Sequence, residues 1–323
     1  MQFDAAELDW AEAIIRPHVP PTPQYARPLL AERFGAEVWV KHENHTPTGA
    51  FKVRGGLTYV ARLRSERPDV VGLVTSTRGN HGQSIAFAGW RSGLGVTIVV
   101  PLGNSPDKNA SMRAFGAVLI EHGADYQEAR EHACAVAEDR GLDLVPPFHP
   151  SLVVGVATLA RELFSAAGEL DAVYVPIGMG SCISGVIGVR DLLGLRTEVI
   201  GVVAENAPAM ARSFAAGRAV STDTARTFVD GVACRVPDAS AVTIVCAGAT
   251  RVVEVSEEDA AEAVRVLFAT THNVGEPAGA IALAGLLKER SAMEGSRVAV
   301  VQTGGNADAG LLEDLLAGKT PAP

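Results

Sequence analysis

The sequence predicts an α/β protein of two lobes, each a mainly parallel β-sheet flanked by helices. Short β-branched runs end in glycine or small polar residues, and a helical stretch follows each of them. Strands that alternate with helices in this way pair in parallel, and the helices cover both faces of the sheet. The length of 323 residues and the hydrophobic content of 47% are sufficient for a sizeable core.

The repeated order of strand, loop and helix predicts where these elements lie. It occurs in four segments, residues 72–90, 96–116, 172–193 and 297–316. Folds of this kind bind ligands at the carboxyl ends of the strands, so the loops that follow these strands form the candidate site. The proline-rich segment from Pro17 to Pro28, in contrast, is expected to cross the surface without regular structure.

Helix-end signals support the same organisation. Ser256 is followed three residues later by Asp259, which predicts the start of a helix that runs through Thr270. A second helix, over residues 126–140, is expected to end at Gly141, because glycine readily adopts the left-handed conformation that follows a helix.

Composition and charge exclude several classes of partner. The net charge is -9 and no basic tract is present, so neither nucleic acid nor an anionic membrane is expected to bind. The N-terminus is acidic, and no apolar run approaches the roughly 20 residues that span a bilayer. The four cysteines form no CxxC pair. We therefore expect reduced thiols, no metal site and a cytoplasmic protein.

Three loops that follow predicted strands are crowded with glycine and small polar residues. They cover residues 77–81, 178–182 and 303–306. A single loop of this composition would be explained by the residue preferences of ordinary turns. Three at the same end of parallel strands indicate a binding site, because backbone N–H groups at a helix N-terminus bind anions. Two such loops and a third polar loop suit a phosphorylated cofactor and an anionic substrate.

The second of these loops is also compatible with a dinucleotide fingerprint. It lies between a strand and a helix, and Glu205 ends the next strand, where an acid would bind a ribose. The GxGxxG pattern requires glycine at position 183, however, and Ile183 stands there. A nicotinamide-dependent dehydrogenase is thus a weaker alternative. A Walker loop is excluded, because no Gly-Lys-Ser/Thr follows.

A lysine stands in the segment KHENHTPTGAFKVRGG. Lys52 lies between Phe51 and Val53, just before a predicted helix. A lysine beside Arg54 would ordinarily be a surface residue. A lysine removed from water has a lowered pKa, however, and can form a Schiff base with an aldehyde. A phosphate-binding loop elsewhere would then hold the other end of an aldehyde cofactor.

Taken together, these motifs resemble the pyridoxal-phosphate enzymes of fold type II, whose fold is that of the tryptophan synthase β-subunit. The resemblance covers nearly the whole chain and is to the threonine and serine dehydratase branch, which includes serine racemase. The family motifs Ser-Phe-Lys-x-Arg-Gly, Ser-Gly-Asn-His-Ala/Gly-Gln, the glycine-rich phosphate loop, Glu-Pro and Ser-Gly-Gly-Asn correspond to residues 50–55, 78–83, 178–185, 276–277 and 303–306. Within this fold we expect residues 1–65 and 143–323 to form the large cofactor-binding lobe and residues 66–142 the small lobe.

The resemblance implies a role for each matched residue. Lys52 would form the Schiff base with pyridoxal 5'-phosphate and act as the base at the substrate Cα, and Phe51 would pack against the cofactor ring. Asn80 would bind the ring 3'-oxygen and Thr303 the pyridine nitrogen, with Glu276 nearby. The phosphate would be bound by Gly178, Met179, Gly180, Ser181 and Cys182. The substrate carboxylate would be bound by Thr77, Arg78, Gly79, Asn80 and His81.

The resemblance also implies the reaction. A hydroxy amino acid such as L-threonine or L-serine would lose its β-hydroxyl group and give a 2-oxo acid and ammonia. A homodimer without a C-terminal regulatory domain is expected. The alternative within the class is a dehydratase for 3-hydroxyaspartate or for a hydroxyectoine-derived amino acid. The alternative outside it is a non-catalytic protein that binds pyridoxal phosphate.

Three positions depart from the family pattern. Arg78 replaces the serine that serves as a second acid or base, which favours elimination over racemisation, because arginine stays protonated. Arg78 either binds an extra anionic group of the substrate, such as a second carboxylate, or points to solvent or an internal acid. Ala50 replaces another serine. At the family's divalent-cation site Glu205 is present, but Ala211 replaces the second acid, so no cation is expected.

Overall fold

Two β-sheets form the framework of the protein. The structure is a computed structural model, and it describes residues 3–322. The strands are β1 (Gln24–Ala26), β2 (Glu37–His42), β3 (Gly72–Ser76), β4 (Gly95–Val100), β5 (Val118–Glu121), β6 (Asp143–Leu144), β7 (Ala172–Pro176), β8 (Glu198–Ala204), β9 (Arg251–Val255) and β10 (Arg297–Gln302). Six of them pair in the order β1-β2-β10-β7-β8-β9, and four pair in the order β5-β4-β3-β6.

Helices cover these sheets and connect most of the strands. They are α1 (Ala5–Ile15), α2 (Pro28–Phe34), α3 (Lys52–Glu66), α4 (Asn80–Ser92), α5 (Pro106–Ala114), α6 (Tyr126–Arg140), α7 (Pro150–Ala167), α8 (Ser181–Leu192), α9 (Ala209–Ala216), α10 (Ala239–Gly248), α11 (Glu257–Thr271), α12 (Pro277–Lys288) and α13 (Ala309–Leu316). Every strand pair except β1–β2 is parallel. The predicted fold class, two mainly parallel sheets flanked by helices, is confirmed.

The predicted helix ends agree with the structure. At the start of α11 the Ser256 side chain accepts a hydrogen bond from the Asp259 backbone, and the Asp259 side chain accepts one from the Ser256 backbone. Helix α6 is followed by Gly141, which adopts the left-handed conformation with φ of 63°. These short-range signals set helix bounds because the contacts that stabilise a helix end lie within a few residues of it.

The proline-rich segment differs from the prediction at one place. We expected no regular structure from Pro17 to Pro28, but β1 pairs antiparallel with β2 inside that segment. Without β1, strand β2 would be the edge of the six-stranded sheet, with unpaired backbone groups. The prediction was wrong here because an edge strand is specified by its partner, which local composition does not reveal.

Helix α7 lies at the centre of the fold. It packs between α3 and α8, and 13 of its 18 residues are buried. In the described part of the chain it is the one helix whose length and apolar composition would suffice to cross a membrane. Because 72% of it is already buried against the protein, its apolar character is that of a core helix.

The division into lobes stays a prediction. The four-stranded sheet contains β3, β4 and β5, which lie within residues 66–142, and also β6, which pairs with β3 just beyond that boundary. The six-stranded sheet is built from strands before and after this segment. The loops at the carboxyl ends of β3, β7 and β10 therefore come from both sheets.

A buried guanidinium group fixes the start of α3. The side chain of Arg54 has no exposed surface. Its Nε and Nη2 donate to the two carboxylate oxygens of Glu43 at 2.8 and 2.9 Å, and Nη1 and Nη2 donate to the two oxygens of Glu162 at 3.0 and 2.9 Å. The fifth N–H donates to Thr158 Oγ1 at 3.0 Å. All five donors of the group are thus satisfied.

A second buried cation balances the charge of this cluster. Lys41 Nζ lies 2.6 Å from Glu162 and 4.0 Å from Glu43, so two carboxylates face two cations. A buried ion requires such partners, because transfer from water costs several kcal/mol per ion. The cluster ties the first turn of α3 to the end of β2, through Glu43, and to α7, through Glu162.

We predict that Arg54→Met lowers the free energy of unfolding by about 3–5 kcal/mol, because it leaves two buried carboxylates with a single cation. Chemical denaturation measures the change. The matched control is Arg33→Met, which removes an exposed ion pair with Glu262 and should cost less than about 1 kcal/mol. A loss below about 1 kcal/mol for Arg54→Met would contradict this view of the cluster.

Candidate functional site

One cavity lies at the carboxyl ends of β3, β7 and β10. Its volume is about 170 Å³. Every residue for which the resemblance implied a role lines it: Phe51, Lys52, Thr77, Arg78, Gly79, Asn80, His81, Gly178, Met179, Gly180, Ser181, Cys182, Glu276 and Thr303. These residues come from five separate parts of the chain, and the parallel sheets bring them to one place. The part that each residue plays in binding or chemistry stays a prediction.

Lys52 is the first residue of α3, and its side chain reaches the cavity. Its Nζ lies 4.9 Å from the centroid of the Phe51 ring and makes no hydrogen bond or salt bridge within the described residues. Burial lowers the pKa of Lys52 below its ordinary value, and the opposing effects of Cys182 and Glu276 are smaller. Since the uncharged amine is the nucleophile, this environment suits Schiff-base chemistry.

The loop after β7 has the geometry of an anion site. Gly180 precedes α8 with φ of 95°, which favours glycine. A Cβ atom at Gly178 would lie 2.7 Å from the carbonyl oxygen of Gly231, so only glycine fits there. The first backbone N–H groups of a helix have no partner within the helix and carry the positive end of its dipole. The start of α8 therefore fits a phosphate group.

His81 presents an unsatisfied polar atom in the cavity wall. Its Nε2 is buried and has no hydrogen-bond partner among the described residues, while its ring hydrogen-bonds the backbone of Val145. Burial, with the positive charge of Lys52, lowers the pKa of His81 to about 3. The imidazole is therefore neutral at physiological pH. A buried polar atom without a partner is costly, so a polar group of a ligand within reach of Nε2 would be stabilised by it.

Two side chains fix the orientation of the Asn80 carboxamide. Asn80 Nδ2 donates to Glu276 Oε1 at 2.6 Å, and Asn306 Nδ2 donates to Asn80 Oδ1 at 2.8 Å. Asn306 also donates to the Thr48 carbonyl at 2.8 Å, which ties this group to the segment before Lys52. One N–H of Asn80 is left for a ligand, so Asn80 can act as a donor to an oxygen acceptor such as that of a cofactor ring.

Thr303 and Glu276 lie on neighbouring parts of the wall. The Thr303 hydroxyl donates to the Ala278 carbonyl at 3.2 Å, so donation to a cofactor would replace this bond. The Glu276 carboxyl group is almost fully buried, with 2% exposure. Burial raises the pKa of Glu276 to about 7, against the lowering effect of Lys108.

The sequence did not indicate several residues of the wall. Lys108 Nζ lies 2.5 Å from Asp230 Oδ2, and the pair connects α5 to the 3-10 helix Asp230–Val232. Although burial opposes it, the carboxylates of Asp230 and Glu276 raise the pKa of Lys108. Tyr126 and Cys234 also line the cavity. No local pattern could reveal the pair, because its members are 122 residues apart.

Arg78 and Glu205 have exposed side chains. Arg78 lines the cavity and also a second cavity beside it. Glu205 directly follows β8. Ala211 lies in α9, and its side chain has no oxygen that could bind a cation together with Glu205. The described residues contain no group of three or more His, Cys, Asp or Glu that could hold a metal ion.

Comparison with known proteins places these features in a family. The family model described as pyridoxal-phosphate dependent enzyme matches residues 15–304. An L-threonine ammonia-lyase of Thermotoga maritima is 34% identical over 89% of this chain and 72% of its own length. An L-threo-3-hydroxyaspartate ammonia-lyase of Saccharomyces cerevisiae is 29% identical over 96% of this chain and 95% of its own length.

Two further matches are a longer relative and a solved structure with the same fold. The chain spans 56% of a biosynthetic L-threonine dehydratase of Pasteurella multocida, to which it is 31% identical over 88% of its own length. The solved structure of maize serine racemase superimposes with a TM-score of 0.91 at 26% identity and covers 98% of each chain. The family match, the relatives and the fold agree with one another. The chain therefore belongs to the pyridoxal-phosphate dependent enzymes of fold type II, in the threonine and serine dehydratase family.

Proposed function

We propose that the protein is an ammonia-lyase that removes the β-hydroxyl group and the amino group of a hydroxy amino acid, such as L-threonine or L-serine. The observation that carries this proposal is the buried, unpaired amine of Lys52 in the same cavity as the phosphate-binding geometry at the start of α8. The named relatives support the reaction class, because they include ammonia-lyases for L-threonine and for L-threo-3-hydroxyaspartate.

The residues of the cavity fit pyridoxal phosphate. Lys52 would hold its aldehyde carbon, residues 178–182 its phosphate, and Asn80 and Thr303 the polar atoms of its ring. When bound, the cofactor withdraws electrons from the substrate Cα and so acidifies the proton there. The unpartnered Nε2 of His81 supports the presence of a polar ligand in this cavity.

Lys52 is the group that takes the Cα proton in this proposal. Its lowered pKa leaves a larger share of the amine uncharged, which a base requires. Loss of the Cα proton and of the β-oxygen, the latter as water, leaves an enamine. After its release the enamine becomes an imine, and water converts the imine to the 2-oxo acid and ammonia. Atoms balance, because the water lost in elimination equals the water consumed in hydrolysis.

Two residues of the 77–81 loop are poor carriers of a proton to the substrate Cα. Arg78 stays protonated, and His81 has a pKa too low to hold a proton near neutral pH. Racemisation requires a proton donor on each face of Cα, whereas elimination requires one base. This favours elimination over racemisation as the reaction of this chain.

The loop after β3 is the proposed site of the substrate carboxylate. Gly79 precedes α4, a helix of 13 residues that begins at Asn80, and its N–H donates to Thr77 Oγ1 at 3.0 Å. The N–H groups at the start of α4 supply a partial positive charge for the carboxylate.

Assembly and location are also part of the proposal. A cytoplasmic homodimer is proposed from the family resemblance, and sedimentation of the purified protein tests the oligomeric state. A non-catalytic protein that binds the cofactor is the alternative outside the enzyme class. It would bind pyridoxal phosphate and release no ammonia from any hydroxy amino acid.

We predict that Lys52→Ala lowers the rate of ammonia release by at least about 100-fold, because the variant lacks the proposed base and covalent anchor. Borohydride treatment of the wild-type holoenzyme should attach a pyridoxyl group to Lys52, as read by peptide mass spectrometry. The exposed Lys288→Ala is the matched control and should keep both the activity and the label. A label on another lysine would refute the assignment.

We predict a pH-dependent contribution of Glu276 to stability. Because its folded pKa of about 7 lies above the ordinary 4.5, this group stabilises the fold below pH 4.5, and the effect disappears as pH rises through 7. Relative to Glu276→Gln, the free energy of unfolding of the wild-type apoprotein should fall by about 3 kcal/mol from pH 4.5 to pH 8. Denaturation at several pH values measures this.

The control for this prediction is Glu138→Gln, which changes an exposed carboxyl group at the end of α6. The change of stability with pH that Glu276→Gln removes should exceed the change that Glu138→Gln removes. If the two variants differ from the wild type by amounts that change equally with pH, the carboxyl group of Glu276 does not titrate near neutral pH.

A further inference from the structure

The backbone of Val145 holds the His81 ring in one tautomer. The Val145 N–H already donates to the Val74 carbonyl at 2.8 Å, so the ring bonds to the Val145 carbonyl, which can only accept. The ring atom in this bond is Nδ1, because Nε2 has no hydrogen-bond partner among the described residues. A neutral imidazole has a single N–H. Nδ1 therefore carries the hydrogen, and Nε2 keeps a lone pair.

The lone pair of Nε2 decides which group can bond to the His81 side chain. It is an acceptor, so its partner must supply an N–H or O–H, which a carboxylate cannot do. The resemblance placed His81 among the residues that bind the substrate carboxylate, and its backbone N–H at the start of α4 suits that role. The side chain requires a different partner, one that donates.

The first turns of α3 and α4 bring His81 close to Lys52. Ser84 lies three residues after His81, on the same face of α4, and its hydroxyl donates to the Lys52 carbonyl at 2.6 Å. Lys52 and His81 both line the main cavity. Lys52 is also the charged residue whose proximity contributes to the lowered pKa of His81. The ring of His81 therefore lies on the side of α4 that faces the reactive lysine.

The Lys52 amine and the His81 ring each lack a partner that the other can supply. Lys52 Nζ makes no hydrogen bond or salt bridge with another described residue, and an amine has N–H groups to donate. Nε2 of His81 is a buried acceptor without a donor among the same residues. A hydrogen bond between them would satisfy both groups in surroundings where an unmade bond is costly.

We propose that His81 is a positioning residue, whose Nε2 accepts a hydrogen bond from the Lys52 amine while the amine is not bound to the cofactor, and so directs the amine at the substrate Cα. This inference rests on the proposed function, in which Lys52 takes the Cα proton. In that step the Cα–H bond breaks, its electron pair stays with the substrate, and the proton forms the third N–H bond of the ammonium group. Nε2 takes no proton itself.

A neutral acceptor suits this position better than a carboxylate. A carboxylate beside the amine would favour its charged form and raise the pKa of Lys52, and a charged amine cannot take a proton. The imidazole of His81 is uncharged near neutral pH, because burial and the charge of Lys52 lower its pKa to about 3. His81 can therefore orient the amine without adding a negative charge beside it.

Exchange of the Cα proton of L-alanine in D₂O isolates the step in which Lys52 acts. L-Alanine has an amino group that can displace Lys52 from the cofactor, but it has no β-hydroxyl group to lose. Its Cα proton can therefore only exchange with solvent, which proton NMR follows. We expect the wild-type holoenzyme to catalyse this exchange and Lys52→Ala to abolish it.

Two variants of His81 separate the lone pair from the bond to Val145. His81→Asn can keep the bond through its amide N–H but is too short to place an acceptor at Nε2, and it should slow the exchange at least about tenfold, the scale of one lost hydrogen bond to a charged group. His81→Gln is longer and places its carbonyl oxygen near the position of Nε2, so its rate should stay close to that of the wild type. Both variants should bind L-alanine with the wild-type affinity, read from the cofactor absorbance.

The matched control is His122→Asn, which changes an exposed histidine just after β5 and should leave the exchange rate unaltered. Equal rates in His81→Asn and His81→Gln would overturn the inference. Faster exchange in His81→Asn than in His81→Gln would also overturn it, because the bond to Val145 would then be the feature that matters.

Nitrogen NMR of the histidine-labelled protein tests the tautomer without any reaction. The resonances of His81, identified by their loss in His81→Gln, should show a protonated Nδ1 and an unprotonated Nε2 at neutral pH. Addition of L-alanine to the holoenzyme should shift the Nε2 resonance toward that of a hydrogen-bonded acceptor. A proton on Nε2, or a resonance that L-alanine leaves unchanged, would refute the inference.

These measurements also distinguish this inference from the proposed function. Exchange that depends on the His81 acceptor, in a protein that releases ammonia from no hydroxy amino acid, would support the positioning role and refute the elimination reaction. Ammonia release with equal exchange rates in His81→Asn and His81→Gln would support the reaction and refute the role of His81.

Discussion

The buried guanidinium group of Arg54 is the contact on which the site depends. It lies two residues after Lys52, and its five hydrogen bonds tie the first turn of α3 to Glu43 and Glu162. On the other side, the Phe51 N–H donates to the Thr303 carbonyl at 2.9 Å, which ties the same turn to the loop after β10. Lys52 is therefore presented from a backbone that is held on both sides. Such support would suit the proposed role of Lys52, because a small displacement of a reacting group costs much of its rate.

The cavity joins two sheets, and polar contacts between them define its shape. Asn80, at the start of α4, bonds to Glu276 and Asn306, and Lys108 of α5 bonds to Asp230. Because these contacts are largely buried, each was removed from water and must be well satisfied to be favourable. The same buried surroundings lower the pKa of Lys52, so one arrangement accounts for both the shape of the cavity and the lowered pKa of its lysine.

Local signals in the sequence predicted much of this structure, and long-range contacts account for what they missed. The helix end at Gly141 and the glycine-rich loop before α8 follow from backbone conformations that few residues adopt. Strand β1 does not follow from a local signal, because it is specified by its pairing with β2. The Lys108–Asp230 pair does not follow from a local signal either, because its members are 122 residues apart. The sequence placed Arg54 beside a candidate lysine, but only the fold shows that it is buried and fully paired.

In the proposed mechanism, Lys52 is the only group that exchanges a proton with the substrate Cα. The stereochemistry of substrate recovered after partial turnover in D₂O tests this directly. We predict that unreacted hydroxy amino acid keeps its original configuration at Cα while ammonia is released, with or without deuterium at that carbon. Accumulation of the opposite enantiomer at a rate comparable to ammonia release would contradict this mechanism, because it would require a second proton carrier on the opposite face.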